Sequence, residues 1–127
     1  AALVPMTSEV ALLPRGRRMQ AEKVTIALHK PLHYATCRAP AGMPSARALL
    51  VPENRAWACR TRHDPRHLSR LVAADMLDDS AEGLVIFSQD GRVATRVSRD
   101  LGLGKEYHLH LPGTATQSQL AALRAGL

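Results

Sequence analysis

The chain has 127 residues and a formal net charge of +6, with 46% hydrophobic and 22% charged residues. That length fits one domain burying about 65–70% of its unfolded surface, and the composition excludes a disordered chain. No apolar run reaches the roughly 18–20 residues of a membrane span, and the start "AALVPMTSEV" lacks the charged region of a signal peptide. Two cysteines make no disulfide framework, so a reducing, cytoplasmic setting is expected. The chain does not open on Met and reads as a portion of something longer.

In chain order, "VALL" (10–13) suggests a short strand and "RGRR" (15–18) a basic turn beside the breaker Pro14. "KVTIALHKP" (23–31) is β-branched at Val24, Thr25 and Ile26, which predicts a strand that Pro31 ends. "LHYATC" (32–37) reads as its hairpin partner. Ser45 is a candidate N-cap for a short apolar helix. "ENRAWACRTRHDPRHLSR" (53–70) is the most basic region, with Trp57 as its large aromatic. Cys59, His63 and His67 recur every fourth residue and on a helix would form a metal-capable stripe. Pro65 breaks such a helix, so a mobile basic loop without metal is expected.

"LSRLVAAD" (68–75) and "GLVIFS" (83–88) read as short buried strands, and "QDG" as the turn after them. In "GRVATRVSR" (91–99), Val93 and Val97 suit one face of a short helix. "KEYHLHL" (105–111) alternates, which predicts a half-buried strand sharing one mixed sheet with 24–29 and 83–88. In the tail, Thr116 and Gln119 have capping-box spacing and Gly126 can end the helix. The class is therefore α+β: a mixed, mainly antiparallel sheet with short helices.

Chemistry-bearing motifs are few. There is no GxSxG elbow, no GxxxxGK loop and no GxGxxG, and "LGLGK" is a weak phosphate signal. Asp78, at the head of "DDSAEG", reads by itself as an N-cap or Asx turn. The positive charge suits phosphate-bearing partners.

Three segments taken together are more specific: "LHKP" (28–31), "LDDSAEGLVIFSQDG" (77–91) and "KEYHLHL" (105–111). Their order resembles the ribosomal pseudouridine synthases of the Rsu/Rlu type. That family has a strand ending in Asn-Lys-Pro, then Gly-Arg-Leu-Asp with Thr or Ser and Gly-Leu, an apolar strand, "TNDG", and Lys-x-Tyr opening another strand. Asp78, Ser80, Gly83, Leu84, Asp90 and Gly91 fall in register, and Lys105 and Tyr107 follow. The likeness runs from about residue 20 to 127. It implies a partial catalytic domain over 21–127, preceded by a linker or exit from an N-terminal RNA-binding domain over 1–20.

The resemblance implies an isomerase. Asp78 would attack a uridine of ribosomal RNA so that the base detaches, rotates and rejoins through carbon, and Tyr107 would stack on the uracil. Lys30, Met76, Leu77 and Lys105 would bind the substrate. Arg60 and Arg62, in the basic region, would hold RNA as well. No cofactor or metal would take part, no membrane would be involved, and the full-length protein would be a monomer. The sequence departs from the pattern where Gly-Arg becomes Asp75-Met76 and Asn-Lys-Pro becomes His29-Lys30-Pro31. Asp75 is expected to raise the pKa of Asp78 by charge repulsion. The family's C-terminal half, whose arginine pairs with the catalytic aspartate, does not follow within these 127 residues. The alternative reading is a non-catalytic RNA-binding relative acting in ribosome assembly.

Overall fold

The strand Gly83–Ser88 holds the sheet together. A computed structural model describes residues 11–99 and 102–126 and places this strand between two antiparallel neighbours. In chain order the elements are α1 (Pro14–Ala21), β1 (Thr25–Lys30), β2 (Val72–Ala73), β3 (Gly83–Ser88), α2 (Gly91–Arg99) and α3 (Gln117–Ala125), and the sheet order is β1-β3-β2. Short 3-10 turns cover Ala46–Leu49, Pro52–Asn54 and Pro65–Leu68. The described residues thus form a mixed α and β structure with a small antiparallel sheet and short helices, as the composition of elements predicted. No helix among them is long and apolar enough to cross a membrane.

Alternation sets the core. Ile26 lies opposite Phe87, Leu28 opposite Val85, and Lys30 opposite Gly83, so these residues share one face. Val85 and Phe87 are buried with Leu71 and Ala46, and Ile26, Leu28, Tyr34, Leu68 and Leu77 pack around them. Each fully buried side chain of this size contributes about 1.5–3 kcal/mol. The opposite face pairs His29 with Leu84, and Leu84 is 69% exposed. α2 packs on β3 and β2.

The packing is open. The chain presents 11124 Å² of accessible surface, where a compact 13.8 kDa monomer presents about 6,600 Å² by mass scaling. The expectation of about 65–70% burial is therefore not met. The core contains a single buried aromatic residue, Phe87, and several long apolar side chains lie outside it.

Several local expectations are corrected. "RGRR" is not a turn: Pro14 takes the first helical position, where its missing N–H costs nothing, and α1 runs through the basic residues. Residues 11–13 of "VALL" are irregular, and Val10 lies outside the described residues. "LHYATC" forms no hairpin strand, because His33 takes a left-handed φ of 64° and only an isolated bridge, Ala35 with Ser45, follows. The strand in "LSRLVAAD" shrinks to Val72–Ala73, since Arg70 has φ of 53°. Residues 105–111 are not a strand. No neighbouring strand among the described residues pairs with them, and Tyr107, Leu109 and Leu111 are all exposed; a half-buried alternation needs a partner to bury one side.

The caps hold as read. Ser45 Oγ accepts from the Arg47 amide, and Thr116 and Gln119 form a reciprocal capping box. Pro65 opens its own short turn, so Cys59, His63 and His67 do not share a helix.

Candidate active site

Asp78 sits in the connection between β2 and β3. Its Oδ1 accepts from the Ser80 amide at 3.0 Å and the Ser80 hydroxyl at 2.7 Å. This is the Asx-turn geometry that "DDS" encodes. The carboxylate is exposed to solvent. The Ser80 amide, then the Ser80 hydroxyl, then the neighbouring Asp79 carboxyl hold its pKa down to about 2, and the field of Lys30 adds a smaller effect in the same direction. The carboxyl is ionised throughout the neutral range.

The loop around Asp78 is fixed from one side by residues 31–36. The Thr36 hydroxyl donates to the Leu77 carbonyl at 2.6 Å and accepts from the Leu77 amide at 3.2 Å. The His33 amide donates to the Asp79 carbonyl at 2.8 Å. Gly83 closes the loop with φ of 140°, a conformation that residues with a side chain rarely adopt. Lys30, at the end of β1, is completely buried, and its Nζ donates to the Pro31 carbonyl at 3.0 Å. A buried polar head needs a hydrogen-bond partner, and the Pro31 carbonyl is the one this amine has.

The repulsion expected from Asp75 is not what governs Asp78. The Asp75 Oδ2 is paired with the Lys105 ammonium, and its Oδ1 accepts from the Met76 amide at 2.9 Å. The Lys105 hydrogen bond, ahead of the Met76 amide, lowers the pKa of Asp75. This pair joins positions thirty residues apart and had no local signature in the sequence. It also occupies the Lys105 ammonium that the resemblance offers to substrate.

The other expected site residues are dispersed. Met76 is 75% exposed and Leu77 faces the core. Tyr107 is 66% exposed, and no hydrogen bond joins it to Asp78. Arg60 and Arg62 are exposed on the basic loop and make no hydrogen bond or ion pair among the described residues. The structure places Lys30 within electrostatic reach of Asp78 and pairs Lys105 with Asp75, three positions before it, while Tyr107 is exposed on the following segment.

The C-terminal part of the basic loop is tied to neighbouring segments by side-chain hydrogen bonds. Gln89 donates to the carbonyls of Arg66 and Ser69 at 2.8 and 2.7 Å, while its Oε1 accepts from the Val24 amide at 3.1 Å. Every hydrogen-bonding group of this side-chain amide is engaged on backbone. Arg47 donates to the Leu68 and Leu71 carbonyls from the opposite side. No family model, curated protein or solved structure matches the chain.

Proposed function

We propose that the chain is the catalytic portion of an RNA pseudouridine synthase that isomerises a uridine in ribosomal RNA, with Asp78 as the nucleophile. The observation that carries this reading is an exposed, fully ionised carboxylate on a loop held by Thr36, His33 and Ser80. A nucleophilic carboxylate has to be ionised, accessible and held in place, and all three conditions meet at Asp78. Oδ1 is committed to Ser80, so Oδ2 would make the attack. The reaction needs no co-reactant: the ribose exchanges its bond to a ring nitrogen for one to a ring carbon, and the proton displaced from that carbon is balanced by one gained at the nitrogen. Reaching a stacked uridine requires that it be flipped out. Tyr107 supplies a ring for stacking once RNA is bound.

Two observations favour the second reading, a non-catalytic RNA-binding relative in ribosome assembly. No hydrogen bond joins Tyr107, 66% exposed, to Asp78, and Met76 presents no charge where the family has arginine. Asp78→Asn separates the two. The amide keeps the size and turn geometry of the side chain but is a very poor nucleophile. In the full-length protein it abolishes pseudouridine formation on ribosomal RNA, read by chemical probing, while RNA binding survives. A wild-type protein that makes no pseudouridine leaves the assembly role as the better reading.

A further inference from the structure

Trp57 is the chain's single tryptophan and is 98% exposed. It has no place in the chemistry around Asp78. An indole buries a large apolar surface when given the chance, so one left almost wholly in water on a structured loop calls for a reason. The loop is structured. The Cys59 amide donates to the Ala56 carbonyl at 2.9 Å, which makes residues 56–59 a tight turn with Trp57 at its first corner. Behind the turn, the Arg55 guanidinium donates to the Thr61 carbonyl and to the Cys59 carbonyl and Sγ, the last two at 3.4 and 3.1 Å. Arg55 therefore acts as a staple across the base of the loop and holds the indole outward.

The flanking charges identify the partner. Arg60 and Arg62 are exposed and have no acidic partner among the described residues, whereas Arg66 is neutralised by Asp64. An outward aromatic ring beside two uncompensated guanidinium groups is the combination that takes a base on its face and phosphates on its flanks.

We propose that Trp57 is a stacking platform for an unpaired base of single-stranded RNA, with Arg60 and Arg62 holding the neighbouring phosphates. The inference deepens the proposed RNA-directed role but does not depend on Asp78 being a nucleophile. Preorganisation by Arg55 lowers the entropy lost when the base docks.

The sole tryptophan is its own probe. Titrating the chain with single-stranded oligouridine quenches its emission, and a duplex of the same length quenches it far less. Trp57→Ala weakens oligouridine binding about 5- to 150-fold, the span of one base on one ring, with an unchanged salt slope because the arginines still neutralise the same phosphates. Trp57→Phe recovers most of the affinity. Both substitutions are at a fully exposed position, so the fold is unaffected. Equal quenching by duplex, or oligouridine affinity unchanged in Trp57→Ala, overturns the proposal. So does an emission shift with anionic phosphatidylserine vesicles but not with RNA, which would assign the loop to a membrane surface. Quenching that persists in a protein making no pseudouridine sinks the catalytic reading and leaves this one standing. Pseudouridine formation without quenching does the reverse.

Discussion

Thr36 grips Leu77 twice, donating to its carbonyl at 2.6 Å and accepting from its amide at 3.2 Å. A single hydroxyl thus satisfies both backbone groups of the residue preceding Asp78, 41 positions further along the chain. Thr36→Val keeps the shape and removes the partner. With Thr36 only 6% exposed, the two Leu77 groups lose their bonds in a part-buried setting, at about 1–3 kcal/mol. Urea unfolding should show that loss, and Thr36→Ser should show little of it.

The Asp75–Lys105 pair connects the loop bearing Asp78 to the segment bearing Tyr107. Both side chains are more than a third exposed, so the pair adds little to stability and weakens with salt. Its structural effect is nonetheless readable. Lys105→Met should shift the backbone amide resonances of Met76 and Leu77, and Asp75→Asn those of residues 104–107. The exchanged pair, Asp75→Lys with Lys105→Asp, should restore both sets. Shifts confined to the neighbourhood of each mutation would show the pair is not formed in solution.

Acid should loosen the molecule in a defined window. The Arg66 guanidinium holds Asp64, the Ser80 amide holds Asp78 and the Arg92 guanidinium holds Asp90, each at about 2. Unfolded aspartates titrate near about 3.9. These groups bind protons more tightly when unfolded, so their stabilisation is complete above that value and is lost as pH falls towards about 2. Melting curves should be level above about pH 5 and decline below about pH 4. Because the Arg66 and Arg92 guanidinium groups face water, added salt should shrink the decline. Asp90→Asn should remove part of it, and a slope unaltered in that variant would count against the assignment.

RNA affinity should fall steeply between about 50 and 200 mM salt through counterion release. The number of basic side chains overstates the effect. Arg66 and Arg92 are paired with aspartates, and Arg47 and Arg55 are bonded to backbone carbonyls. Replacing Arg60 and Arg62 with alanine should lower the slope by about 0.7 for each phosphate of a single strand that is no longer neutralised, and should weaken all RNA sequences alike. A slope unaltered in the double variant would place the phosphates elsewhere.

What the sequence disclosed followed from local chemistry. β1 and β3 announced themselves through β-branched runs, and α3 through the Thr116–Gln119 spacing, because strand propensity and capping act within a few residues. The Asx turn at Asp78 was legible for the same reason. α1 was not, since a proline and a glycine among arginines carry the composition of a turn, and only the placement of Pro14 at the first helical position reverses that. The alternation in 105–111 was real but insufficient, because a strand requires a neighbour that no local pattern reveals. The Thr36–Leu77 clamp, the Gln89 bridge and the Asp75–Lys105 pair all span 20 or more positions. Each uses an ordinary polar residue, and nothing in the flanking sequence marks it.

α3 differs in kind from the sheet. Its nine residues bury no side chain, and it rests on its own capping box and on the Gly126 amide bonded to the Leu123 carbonyl. A helix this short is marginal in water when nothing packs on it. Heating should therefore act on two parts of the molecule at different rates: ellipticity from α3 drains away gradually, while the interior around Phe87 gives way cooperatively. A melting temperature fitted to far-ultraviolet data would average a slope with a step, and would describe neither part.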